Sequence, residues 1–323
     1  MFKIKPIAVS ILVVIYSSIT QSPTQAVYGG KPSVNNPYVV GIIGTATGKM
    51  AGCTGALVAP RIVYTAAHCV GGFSEKMWVA TPSANLLEAK TKRVEVEKIF
   101  VPDEFDSKKF PYSNDFSVFI LKSPLVEEIN LSVATLDQIN KWTQEQSTVL
   151  HVGYGCTELV KTDDPFESCY PTSPLPYEFE TTLTSNVPRQ FETLTPGSFT
   201  MTKIEVNKTI CGGDSGSPLF KKTEEGLVYI GALSSSNGAG CTKSCDMNCV
   251  ATQVPAASNQ ALIAKANEYL ANQNESTKDN SELTPISPKE KKPSNLICVK
   301  GKKTKTVKGS GKKCPSGYKP KNR

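Results

Sequence analysis

Between Val27 and about Leu270 the chain is cut into short apolar runs by Gly, Pro and Asn, and this punctuation limits the fold more than any other feature. Val39-Val40-Gly41-Ile42-Ile43, Ala56-Leu57-Val58, Val94-Glu95-Val96-Glu97-Lys98-Ile99 and Phe116 to Leu121 are examples. Each suits a strand and is too short for a helix that buries one face. Many short strands joined by turns predict an all-β sandwich or barrel. One exception closes the stretch. From Gln260 to Leu270 the apolar residues return at helical spacing, which predicts a C-terminal helix.

The first residues set the compartment. Lys3 and Lys5 precede the apolar run Ile7 to Ile15, and the small residues Thr24 and Ala26 follow at cleavage spacing. Residues 1–26 therefore predict a secretory leader, too short for a comfortable membrane span, and a secreted, extracellular protein. No second apolar stretch follows, so no membrane span is expected after cleavage. Ten cysteines, an even number, agree with export into an oxidising compartment. Cys241, Cys245 and Cys249 have no histidine nearby and lack the paired spacing of zinc sites, so disulfides are expected and no metal.

The net charge of +7 is unevenly spread. Residues 289–323 hold twelve lysines and Arg323 against Glu290 alone, which leaves the rest of the chain net acidic. Residues 273–294, rich in Asn, Ser, Pro, Glu and Lys, read as a linker with almost nothing to bury. Residues 295–323 form a small basic unit flanked by Cys298 and Cys314. A Cys298–Cys314 bridge would close about 15 residues and stabilise the loop by roughly 3 kcal/mol. Such a unit is either a solvated tail or an attachment to an anionic cell-surface polymer. Nucleic acid is not expected, because Tyr318 is its lone aromatic and base stacking has little support.

Three strings carry chemistry. Thr65-Ala66-Ala67-His68-Cys69 puts small residues before an imidazole, and Cys211-Gly212-Gly213-Asp214-Ser215-Gly216-Ser217-Pro218 puts glycines around a serine. A serine hydroxyl is a poor nucleophile until a neighbouring imidazole takes its proton. Asn114-Asp115 runs directly into an apolar strand, where a carboxylate could orient the ring. Asp103 and Asp106 lie close by in a polar turn and read as solvated, and His151, in Leu150-His151-Val152, has no comparable context.

In this order the strings resemble the chymotrypsin/trypsin-like serine proteases over residues 27–272. The resemblance implies two six-stranded antiparallel β-barrels with a C-terminal helix, protein or peptide substrates, no cofactor and a monomer. It implies a catalytic triad of His68, Asp115 and Ser215, an oxyanion hole from the Gly213 and Ser215 amides, and Ser234 supporting Asp115. It pairs Cys53 with Cys69 across the histidine loop and Cys211 with Cys241. Cys156–Cys169 and Cys245–Cys249 are then expected as additional bridges, the former by elimination. Val27-Tyr28-Gly29-Gly30 resembles the family's mature start, so a freed Val27 would pair with Asp214, and cleavage after Ala26 would deliver it directly.

Thr209 stands at the base of the implied specificity pocket, where trypsin-like enzymes carry Asp. With Ile210, Ser234 and Ser236 it implies a neutral pocket and a preference that is not strictly tryptic. Ser235 stands where a Trp is usual, Ser217 where a Gly is usual, and Asp246 is a candidate to restore basic specificity. A protease-fold protein without activity, binding through its basic tail, is the alternative.

Overall fold

Val39–Ile43 is buried at every position, and its residues separate by parity into two apolar clusters. Val40 and Ile42 join Leu57, Val63, Phe119 and Leu121, while Val39 and Ile43 join Ala56, Tyr64, Val118 and Ile120. Successive strand residues point to opposite faces, so a strand covered on both sides reads as an unbroken apolar run. This accounts for the short continuous runs in the sequence.

A computed structural model describes residues 29–70, 76–156, 172–204, 208, 210–237, 249–279, 296–307 and 313–320. Along the chain come β1 (Lys31–Pro32), β2 (Val39–Ile43), β3 (Cys53–Ala59), β4 (Ile62–Thr65), β5 (Trp78–Ala80), β6 (Arg93–Phe100) and β7 (Ser117–Leu121). There follow β8 (Ser132–Val133), α1 (Leu136–Gln144), β9 (Thr148–Gly153), β10 (Tyr177–Thr184), β11 (Thr200–Lys203), β12 (Pro218–Thr223), β13 (Gly226–Ser236), β14 (Val250–Pro255) and α2 (Gln260–Asp279). β15 (Leu296–Lys300), β16 (Lys303–Val307) and β17 (Lys319–Pro320) come last.

The first barrel closes in the order β2-β3-β4-β7-β6-β5, every neighbour antiparallel. The second runs β10-β11-β14-β13-β12-β9 and closes where β9 pairs with β10. β1 adds to the outside of β10, and β8 lies parallel to β13. The two six-stranded barrels and the helix that follows them are the chymotrypsin-like architecture. Between the barrels one cluster joins Val39, Tyr64, Phe116 and Ile120 of the first to Leu150, Tyr154, Phe220 and Tyr229 of the second. The Tyr64 ring sits 5.2 Å from that of Phe116 and 5.8 Å from that of Tyr229.

Two helical features depart from the sequence reading. α1 was not expected, because Ile139 is its one buried residue and no apolar stripe marks it. Its start is set locally: Thr135 and Gln138 form a reciprocal capping box. α2 packs Leu262 and Ala266 into the inter-barrel cluster, and Tyr269 donates to Glu97 Oε1 at 3.0 Å. It then runs to Asp279, past the boundary placed at 272 and into the stretch read as linker. No Gly or Pro interrupts residues 271–279, so the backbone continues helically without apolar residues to bury.

The chain divides into two compact units, Met1–Leu270 and Ala271–Arg323. In the second, β15 is the middle strand of a three-stranded antiparallel sheet flanked by β16 and β17. The expected Cys298–Cys314 bridge clamps it. The stretch expected to be a leader, residues 1–26, and Val27, Thr209, Cys169, Cys241, Cys245 and Asp246 lie outside the described residues, as does the part of the expected linker beyond Asp279. Among the described residues no helix is long and apolar enough to cross a membrane.

Candidate active site

β3 and β4 deliver the histidine. After β4 a short 3₁₀ turn, Ala67–Val70, carries His68, and the Cys53–Cys69 disulfide ties that turn back to the start of β3. Asp115 precedes β7, and Asn114 before it takes φ of 53°, a left-handed conformation that Asn tolerates and that turns the chain sharply into the strand. Asp115 is fully buried. Its Oδ1 accepts the His68 backbone N–H at 2.8 Å, and its Oδ2 faces His68 Nδ1 at 2.7 Å. Ser234, on β13 of the other barrel, donates to the same Oδ2 at 2.6 Å. A buried carboxylate is costly unless paired and hydrogen-bonded, and all three partners are in place. The two competitors in the polar turn lie elsewhere: Asp103 is exposed, and Asp106 Oδ1 accepts the Lys108 amide at 3.0 Å.

The His68 side chain is 18% exposed, so its other edge is open to an incoming group. Tyr112 stacks on the ring with centroids 5.1 Å apart and planes 19° apart. Phe105 and Phe110 pack around Tyr112 in turn. The sequence reading missed this aromatic wall. Its signal was three aromatics within an otherwise polar loop just before Asp115.

Ser215 lies at the seam, in a turn closed by the Ser217 amide donating to Asp214 O at 2.8 Å. Thr54 N donates to Ser215 O at 2.8 Å, and Cys69 Sγ lies 3.6 Å from the same oxygen, so the serine backbone adjoins the histidine loop. Gly216 has φ of +75°, and a Cβ there would come within 1.9 Å of Thr65 Oγ1 and 2.8 Å of Ala66 N. No other residue permits so close an approach of the two loops. Gly213 also takes a positive φ, +94°. Among the described residues, neither the Gly213 nor the Ser215 amide is engaged by a protein acceptor.

Asp214 is buried beneath the turn. Its Oδ1 accepts the Gly155 amide and its Oδ2 the Cys211 amide, both at 2.8 Å. Burial pushes its carboxyl up to about 7, against the two amide bonds that lower it. A Cβ on Gly153 or Gly155 would fall 2.0 or 2.2 Å from its oxygens, which explains the Gly-Tyr-Gly string in β9 and after it. Between about pH 4 and 7 the folded chain holds a proton on Asp214 that the unfolded chain has released. Stability from this group therefore falls as pH rises through that window, unless a cation arrives to meet the carboxylate.

Ile210 joins Tyr177, Phe179, Ile204, Leu233 and Ala251 in an apolar cluster. Ser234 is committed to Asp115, and Ser235 turns to Thr252 with oxygens 2.8 Å apart. Ser236 ends β13 half-buried. Cys211 and Cys249 are disulfide-bonded, their expected partners lying outside the described residues. Cys156 Sγ approaches Gly212 O at 3.2 Å. Cys53, His68 and Cys69 lie close enough to suggest a metal, but both sulfurs are spent in the disulfide.

Two closed β-barrels, with a buried Asp–His pair at their seam and a Gly-Asp-Ser-Gly turn against it, define the class of chymotrypsin-like proteins. The trypsin family model matches residues 27–259. The chain is 30% identical to a trypsin-like protease of Streptomyces glaucescens over 227 residues, which is 68% of this chain and 75% of that protein. It is 27% identical to Trypsin-4 of Rattus norvegicus over 189 residues, 58% of this chain and 72% of that one. Among solved structures it resembles the secreted serine protease VesC from Vibrio cholerae, with a TM-score of 0.54 at 17% identity. That likeness covers 71% of this chain and 46% of VesC, and at such identity it is one of fold. The chain belongs to the trypsin family of serine proteases.

Proposed function

We propose that the protein is an exported serine endopeptidase whose triad is Ser215, His68 and Asp115. The double hold of buried Asp115 on His68, through the backbone N–H and through Nδ1, carries the reading. It fixes the ring with Nε2 turned away from the carboxylate and available to take a proton. Ser215 would attack the peptide carbonyl as His68 removes its proton, and the Gly213 and Ser215 amides would receive the developing oxyanion. His68 would pass that proton to the departing amine as the C–N bond breaks, then take one from water as it attacks the acyl-enzyme and return it to Ser215 Oγ as the acid is released. A fluorophosphonate probe tests this: labelling at Ser215 is expected, and an unlabelled wild-type protein would end the proposal. With Thr209 where trypsin-like enzymes carry Asp, a strictly tryptic preference is not expected, and cleavage profiling of a mixed peptide library reads this out. The inactive binding protein finds no favouring observation, since all three positions are filled.

Activation is proposed to follow secretion directly. Val27, once freed by cleavage after Ala26, would bring its ammonium to Asp214, whose burial makes an unpaired carboxylate expensive. The secreted protein should start at Val27 by N-terminal sequencing. It should also lose less stability between about pH 4 and 7 than a chain retaining residues before Val27. A mature start upstream of Val27, or identical pH profiles, would remove the pairing.

The basic unit is proposed to hold the enzyme on an anionic polymer outside the cell. Lys303 and Lys305 are exposed on β16, Lys300 sits across from Lys303, and no acidic residue occurs after Glu290. Retention on heparin at physiological salt is expected for the full chain and is lost when it ends at Asp279; equal retention would leave a solvated tail.

A further inference from the structure

Two hydroxyl groups of the nucleophile turn's surroundings are spent on the turn itself, and neither belongs to the triad. Thr54, fully buried on β3 of the first barrel, donates from Oγ1 to Gly213 O at 2.8 Å. The same Oγ1 accepts the Tyr154 amide at 2.9 Å, so the hydroxyl has one role as donor and one as acceptor and no freedom to rotate. At the other end of the turn, Ser217 Oγ meets His151 Nε2 at 2.9 Å, both residues buried. His151 belongs to β9, where it is paired with Phe179 on one side and Leu219 on the other, and its ring packs 5.2 Å from that of Phe179. Burial lowers this imidazole to about 3, so it is a neutral hydrogen-bonding group at neutral pH.

We infer that Thr54 and His151 are positioning residues that clamp Gly213 and Ser217, the two ends of the turn, and so fix the serine and its amide donors. The inference rests on the protease reading above. The two clamps reach the turn from different barrels and from side chains that touch no substrate. Thr54 sets the peptide following Gly213, whose own amide is an oxyanion donor. Ser217 closes the turn through its amide to Asp214 O and accepts the Leu233 amide at 2.9 Å, so tethering its side chain holds a residue already bonded on both backbone groups. A loose clamp would leave substrate binding intact and blunt the chemical step, because displacements of about 1 Å cost on the order of a hundredfold in rate.

The test uses the full secreted protein and a fluorophosphonate probe, separating the binding constant from the maximal rate of acylation. Wild-type labelling is measured first; its absence would overturn the protease reading and not this one in particular. With labelling present, Thr54→Val removes the hydroxyl at nearly constant shape, and Thr54→Ser retains it. His151→Phe removes the ring nitrogen, and His151→Gln keeps a nitrogen at similar reach. Val149→Ala, a cavity on the same strand β9 away from the turn, supplies a matched loss of Tm. Thr54→Val and His151→Phe should each lower the acylation rate roughly tenfold to a hundredfold, with probe binding unchanged. Thr54→Ser, His151→Gln and Val149→Ala should stay within about threefold of wild type. Should His151→Phe fail to fold, Ser217→Ala breaks the same contact at little cost in volume and is expected to slow acylation likewise. Acylation rates that merely follow Tm across the set, or that stay at the wild-type value in Thr54→Val, would overturn the inference.

Discussion

Ser215→Ala is expected to reduce peptide hydrolysis by about a millionfold, as loss of the nucleophile does in other serine proteases. The drop should fall on turnover, since Ser215 Oγ would act only once the carbonyl is bound. No fold cost should accompany it. The turn is held by backbone and neighbouring groups: Thr54 N to Ser215 O, Gly216 N to Leu233 O and Ser217 N to Asp214 O. None of these uses the Ser215 side chain, so Tm should match wild type. Steady-state kinetics with a fluorogenic peptide, alongside thermal unfolding, measures both. Residual activity near the wild-type rate would mean that another residue attacks.

Asp115→Asn should cost about ten-thousand-fold in kcat, and its cause is the hydrogen-bond inventory around one buried group. The carboxylate only accepts: from His68 N at one oxygen, and from Ser234 Oγ and the ring at the other. An amide must place its NH₂ at one of these two ends. Aimed at Nδ1, it forces that nitrogen to accept, and Nε2 then carries the proton it should take. Aimed at the His68 backbone, it sets two donors against each other around a fully buried group, costing about 1–3 kcal/mol. Either orientation disables or tilts the base. The pH–rate profile distinguishes them from simple unfolding, because the folded fraction can be held constant while kcat is followed. A loss of tenfold or less would mean that Asp115 only fills space.

Much of the barrel architecture could be read from the chain, because strands such as β2, β4 and β7 are covered on both faces and the punctuation between strands survives. The histidine and serine strings were legible for another reason, since their small residues are needed for close approach, as at Gly216 against Ala66, while Asp115 stood out as an acid running directly into an apolar strand. Thr54 and His151 were not. Their contacts join residues 159 and 66 positions apart, and nothing in the neighbouring letters announces them. α1 escaped because a single buried residue leaves no period, although Thr135 and Gln138 mark its start. The far end of α2 escaped because the absence of a breaker is a weaker signal than the presence of an apolar stripe.

The Cys53–Cys69 bond has a reach larger than the loop it closes. Cys53 is the covalent neighbour of Thr54, and Cys69 that of His68, so one sulfur link restrains both the clamp on the serine and the base that would serve it. In a thiol-rich cytosol that link would stay open and the two loops unfastened. The chemistry proposed for this site would thereby depend on an oxidising compartment, where that one bond can form and persist.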